Sequence, residues 1–74
     1  MRTVVQRLAS RSLADGVADR IRGAIHDGSY APGSRLVERR IAQQLGVSHI
    51  PVREALARLS DEGIVERLPR RGAR

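Results

Sequence analysis

The chain contains no cysteine, no lysine, no phenylalanine and no tryptophan, and its only aromatic residue is Tyr30. Each absence removes a class of protein. Without cysteine there is neither a disulfide framework nor a thiolate metal site. Two separated histidines, His26 and His49, do not make a conventional zinc centre. No run of about eighteen apolar residues occurs, so the sequence offers no membrane-spanning helix. Single-stranded nucleic-acid binders stack bases on aromatic rings, and one tyrosine cannot build that platform. The chain also lacks paired carboxylates in a cleft pattern, a nucleophile beside a base and a phosphate-cradling loop, so no enzyme and no cofactor site is expected in it.

What is present is charge of one sign. Fourteen arginines face eight acidic residues across 74 positions, a formal net charge of +6. The length allows one small domain. A domain of this size buries only about 60 % of its unfolded surface, so its core is thin. The basic excess favours an anionic partner. Duplex DNA requires only cations for its phosphates and an element shaped to a groove, which suits a chain poor in aromatics.

Along the chain, residues 1–11 carry Arg2, Arg7 and Arg11 and no acid, and read as a flexible basic arm. A transit peptide is the lesser reading of the same stretch. A first helix is expected over about 12–27, capped by Ser12, with Leu13, Val17, Ile21, Ala24 and Ile25 forming one stripe and Gly28 ending it. The turn Ser29–Ser34, with Pro32-Gly33 at its centre, leads to Arg35-Leu36-Val37, one short edge strand. A second helix spans about 38–45 on the pair Ile41 and Leu45, and Gly46 closes it. Ser48 then caps a third helix over about 49–62, with Pro51 in its first turn and Val52, Ala55, Leu56 and Leu59 as its core stripe. Two short helices joined by a glycine-containing turn form the helix-turn-helix pattern. Gly63 ends the third helix, a strand opens at Ile64 and Val65 and continues through Glu66, Arg67 and Leu68, and Pro69-Arg70-Arg71-Gly72 is the tip of a hairpin. The fold class is therefore mainly α: a three-helix, winged helix-turn-helix domain over 12–74 with a small β-wing.

In such a domain the second helix of the motif reads bases mainly with its N-terminal residues. His49, Ile50 and Arg53 project there, on a side distinct from the core stripe. Arg53 is the foremost candidate, because its fork matches the O6 and N7 acceptors of guanine; the plain alternative is a solvated arginine paired with an acid. Arg39 could reach a phosphate or a base, or be a simple surface charge. Ser48 could cap the helix and bond a phosphate at once. His49 could donate to a phosphate or stand exposed. Arg70 and Arg71 suit a narrow, electronegative minor groove, and Gly72 would let the backbone come close. Tyr30 is expected to pack under the Pro32-Gly33 turn, and His26 to sit idle at a helix end.

These residues carry a resemblance. Ala31-Pro32-Gly33-Ser34-Arg35-Leu36-Val37-Glu38-Arg39 resembles the Pro-Gly, Leu and Glu-Arg signature of GntR-family transcriptional regulators. Gly46-Val47-Ser48-His49-Ile50-Pro51-Val52-Arg53-Glu54-Ala55-Leu56 is similar to that family's recognition segment, and the wording around Arg53 and the Arg-Arg-Gly wing resembles its FadR-like, FCD-carrying branch. The resemblance covers about residues 12–74. It implies a cytoplasmic, nucleoid-associated bacterial repressor that binds a short inverted-repeat operator as a homodimer. It also implies DNA contacts from Arg39, Ser48, His49, Arg53 and the Arg70–Gly72 turn. The chain departs from the family at His49-Ile50, where Arg-Thr is usual; a fixed cation and a hydroxyl are thereby missing from the reading face.

Family members continue into a helical effector domain that binds small carboxylates, often with a metal. A chain ending at Arg74 is thus expected to be a fragment, an excised domain or a truncated gene product, ending before the return strand of the wing is complete. The competing function, from another class, is a truncated regulator acting as a protein-interaction module that dimerises with full-length partners. A membrane-surface peptide built on residues 1–11 is a poorer reading, since its apolar content is low. The charge is also unevenly spread: Glu38 and Glu54 dilute the helix-turn-helix, and the excess lies in residues 1–11 and from Arg67 onward.

Overall fold

The structure, a computed structural model, describes the backbone of residues 2–68 and 72–74 and, within these, the side chains from Leu13 onward. The chain runs α1 (Arg2–His26), β1 (Leu36–Val37), α2 (Glu38–Leu45), α3 (His49–Asp61), β2 (Arg67–Leu68) and β3 (Gly72–Ala73). Three helices pack together and a three-stranded antiparallel sheet of order β1-β3-β2 closes one end. This is the winged helix-turn-helix arrangement expected from the sequence.

The first helix departs from expectation in two ways. It begins at Arg2 rather than near residue 12, so the stretch set aside as an arm has helical backbone and Ser12 lies inside the helix instead of capping it. The physical reason is that residues 2–15 hold neither glycine nor proline and carry several Arg, Leu and Ala residues, all good helix formers. Its buried face is also rotated by one position. Ala14, Val17, Ala18 and Ile21 are buried and Ile25 packs at the margin, whereas Leu13 is 48% exposed. Both stripes have helical spacing. Packing chose the one with two alanines, whose small side chains let α1 approach α3 closely.

The helix α2 has the expected bounds and ends on Gly46 in the left-handed region, φ 67°. The Gly46 N–H donates to the Gln43 carbonyl (3.3 Å) and the Val47 N–H to the Ala42 carbonyl (3.0 Å), a Schellman closure. Gly63, φ 77°, repeats it after α3, with Gly63 N–H to Ser60 O and Ile64 N–H to Leu59 O. A side chain with a Cβ would be strained at either position, so the two glycines set the angles at which the chain leaves α2 and α3.

The core joins Val17, Ala18 and Ile21 of α1, Leu36 of β1, Ile41 and Ala42 of α2, the α3 stripe Val52, Ala55, Leu56 and Leu59, and Val65 and Ala73 near and in the sheet. Tyr30 packs against this core beside the Pro32-Gly33 turn, as expected. The Asp27 carboxylate accepts from the Ser29 hydroxyl (2.6 Å) and the Ser29 N–H (2.8 Å), which holds it below the usual aspartate range and fixes the turn after α1.

The wing corrects a second expectation. A return strand is present: β3 pairs with β2 (Arg67↔Ala73, Leu68↔Gly72) and with β1 (Leu36↔Ala73, Val37↔Gly72). Glu66 and Arg74 extend the ladder, exchanging backbone hydrogen bonds of 2.7 and 3.0 Å. Two residues suffice because β3 is the central strand and satisfies both neighbours. Gly72 is consequently a buried strand residue and not part of the turn tip.

Two outcomes test this packing by chemical denaturation. Ile21→Ala is expected to cost about 2–5 kcal/mol, while Leu13→Ala, on the exposed side, stays within about 0.5 kcal/mol. Gly23 lies in the interior of α1 and an added Cβ there meets no neighbour. Gly23→Ala should therefore stabilise the fold by about 0.4–1 kcal/mol.

Candidate nucleic-acid interface

The turn Gly46-Val47-Ser48 sets α3 against α2 so that the N-terminal end of α3 stands free of the core. Ser48 takes the N-cap position with extended backbone (φ −74°, ψ 170°), yet its side chain makes no capping hydrogen bond. The expected cap is therefore positional only, and the hydroxyl is left for another acceptor or donor. Ser48, His49 and Ile50 are all exposed, Ile50 to 60%. An isoleucine this exposed beside a histidine gives the tip of α3 an apolar spot within a polar rim. Pro51 and Val52 follow at once and are buried, which pins the first turn to the body of the domain.

Arg39 and Arg40 lie exposed in the first turn of α2. Arg53 lies one turn after His49 on α3, so the two share a face. Its side chain is 43% exposed, but it is not a freely solvated arginine. Its Nε donates to Oε1 of Glu38 at 3.2 Å, and its Nη2 stands 3.1 Å from the same oxygen. Glu38 opens α2 and is 2% exposed, the one charged residue among the described ones that is buried.

An acid partner for Arg53 is expected from the sequence only in general terms; its identity as Glu38 comes from the packing of α2 on α3. A signal existed. Glu38, Ile41, Ala42 and Leu45 fall on one helical face, so the glutamate sits on the stripe that faces the core, where a charge requires a partner.

Of the other described acids, Asp15, Asp19, Glu62 and Glu66 are paired away from this end, whereas Asp27, Glu54 and Asp61 make no ion pair and Glu54 lies exposed on α3 beside Arg53. Asp15 pairs with Arg58, and Asp19 and Glu62 both pair with Arg22 (2.7 and 2.8 Å), linking α1 to the C-terminal end of α3. Glu66 lies 3.9 Å from Arg74 across the hairpin. Among the described residues Arg20, Arg35, Arg39, Arg40 and Arg67 make no ion pair. Arg35, Arg39 and Arg40 flank the start of α2, so unpaired positive charge lies beside the helix-turn-helix. Over residues 38–62 four arginines meet four acids, so this local positive charge comes from which side chains are left unpaired and not from a net excess, in keeping with the mild charge expected of that unit. Arg70 and Arg71 of the wing tip lie outside the described residues, and Gly72 is in β3, as stated above.

Comparison with known proteins agrees with this geometry. A profile described as "Bacterial regulatory proteins, gntR family" matches residues 13–74. The chain is 48% identical over 52 residues, 70% of its length and 30% of the relative's, to an uncharacterised helix-turn-helix-type transcriptional regulator in the TAR-I ttuE-ttuC' intergenic region of Agrobacterium vitis. It is 49% identical over 63 residues, 84% of its length and 24% of the relative's, to a putative L-lactate dehydrogenase operon regulatory protein of Escherichia coli. It is 44% identical over 63 residues, 84% of its length and 26% of the relative's, to the helix-turn-helix-type transcriptional regulator Mce2R of Mycobacterium tuberculosis. The matched region thus spans between about a quarter and a third of the length of these relatives.

The unengaged Ser48 hydroxyl gives a direct test. An N-cap serine normally stabilises its helix by about 1 kcal/mol relative to alanine. Here Ser48→Ala should shift the unfolding free energy by less than about 0.5 kcal/mol, measured by denaturant titration; a loss of the usual size would show that the hydroxyl caps α3 after all.

Proposed function

We propose that this chain, which belongs to the gntR family of bacterial regulatory proteins and carries its helix-turn-helix DNA-binding domain, serves a transcriptional regulator and not an enzyme, and reads a short inverted-repeat operator in duplex DNA as one half of a homodimer, with α3 in the major groove and the wing tip at the minor groove. The observation that carries this reading is the exposed Ser48–Ile50 turn at the start of α3, with Arg39 exposed and without an ion pair in the first turn of α2 and Arg53 one turn into α3.

Each residue has a role set by its chemistry. Arg39 supplies a charge to a phosphate from the edge of α2. Ser48 and the free N–H groups of the first turn of α3 bond a phosphate oxygen. His49 offers a ring nitrogen to a phosphate or a base edge. Ile50 brings an apolar surface suited to the thymine methyl group. Arg53 addresses guanine. Arg70 and Arg71 enter the minor groove as cations, with Gly72 anchoring the end of their turn in the sheet. The other reading, a protein-interaction module that dimerises with full-length partners, drew on a missing return strand and a missing partner domain; β3 supplies the strand and removes the first of these two motives.

Sites selected from a random duplex library should bind with an affinity that falls linearly in log salt. Arg53→Ala should cost about 1–3 kcal/mol on the selected site and relax the base preference at one position, whereas Arg39→Ala should weaken binding to all sequences alike and lower the salt slope by about 1. Affinity that is absent, or indifferent to salt, would refute the reading.

A further inference from the structure

We propose that Glu38 is the positioning residue that turns Arg53 into a base reader and holds it off the phosphate backbone; the proposal rests on the DNA-reading function above and deepens it. A guanidinium has two edges that can engage a pair of acceptors. Glu38 occupies the one formed by Nε and Nη2, through the 3.2 and 3.1 Å contacts to its Oε1. The other edge, Nη1 with the outer hydrogen of Nη2, is left over, and the side chain is open enough to present it, being 43% exposed. That remaining edge has the planar, two-donor form that matches guanine O6 and N7.

Two consequences follow from the burial of Glu38. A free arginine loses much of its rotamer entropy when it docks, and an arginine already clasped has less to lose, so the specific contact is pre-organised. An arginine that swung out to a phosphate would abandon a carboxylate that is 2% exposed. Leaving a buried charge without its partner is strongly unfavourable. The pair therefore disfavours the sequence-independent mode and permits the sequence-reading one. Its near-cancelled charge acts in the same direction, since a neutral pair draws little from phosphate at long range. Arg39, with no acid partner, supplies attraction without selectivity. The two arginines, similar in sequence terms, thus divide affinity and specificity between them.

The test compares the unaltered chain with Glu38→Gln, which keeps the shape and removes the charge, on a selected duplex and on a random-sequence duplex over a salt series. In Glu38→Gln, random-duplex binding should tighten and its salt slope steepen by about 1, because the released Arg53 can neutralise one more phosphate. The ratio of selected to random affinity should fall about tenfold or more. In an Arg53→Ala background the same glutamate change should leave that ratio unaltered.

An unchanged ratio in folded Glu38→Gln, or an equal fall without Arg53, overturns the proposal. If Glu38→Gln does not fold, the Arg53 Nε–H resonance of the unaltered chain decides. Slow exchange with water, retained when the selected duplex is added, supports the clasp, and exchange as fast as that of Arg39 overturns it. Failure of the unaltered chain to bind any duplex in a salt-dependent way overturns the DNA-reading function itself, and this proposal with it.

Discussion

The stripe Val52, Ala55, Leu56 and Leu59 along α3 is the surface on which the domain is assembled. All four residues are essentially without solvent exposure. Helix α1 presses Val17, Ala18 and Ile21 toward it, α2 contributes Ile41 and Ala42, and the sheet end adds Leu36, Val65 and Ala73. Full burial of an aliphatic side chain contributes about 1.5–3 kcal/mol, so a few such residues supply most of what a 74-residue chain can gather against its conformational entropy. This has a geometric corollary. Because one side of α3 is held on every flank, its opposite side and its N-terminal tip project outward at a fixed angle. The element with the most invested in packing is also the one whose tip is exposed.

The electrostatics follow from the same arrangement. The acids at the α1–α3 flank are satisfied by Arg22 and Arg58, side chains that would otherwise add to the positive surface. These pairs are exposed and contribute little to stability. What they do is leave the unpaired cations near the start of α2. The Glu38–Arg53 pair differs because one partner is buried. It couples the buried start of α2 to the exposed side of α3, so that a side chain hidden in the core holds one at the surface. The pair is thereby tied to the helix-turn-helix angle, which Gly46 sets.

Most of the architecture was legible in the sequence. The bounds of α2, the glycine closures after α2 and α3, the α3 core stripe and the edge strand at Leu36-Val37 all follow from local periodicity and turn chemistry. These are signals carried within about ten residues. The failures share a different character. The start of α1 was misjudged because an acid-free, arginine-rich stretch was read by its charge, while its residues are equally good helix formers. The return strand was missed because two residues carry no periodicity, and β3 exists only through the partners that flank it on both sides.

The sequence by itself determined the composition-level exclusions, the helix-turn-helix spacing and the identity of the side chains at the tip of α3. Tertiary structure decided which of two equally periodic faces of α1 is buried, since only contact with α3 distinguishes Ala14 and Ala18 from Leu13. It also decided that Gly72 is a strand residue, and that Arg53 is a clasped arginine and not a free one. Glu38 and Arg53 lie fifteen positions apart on different helices. Their encounter depends on the crossing of α2 and α3, a long-range quantity that no local pattern encodes, whereas the need of a buried carboxylate for a cation was written in its place on the α2 stripe.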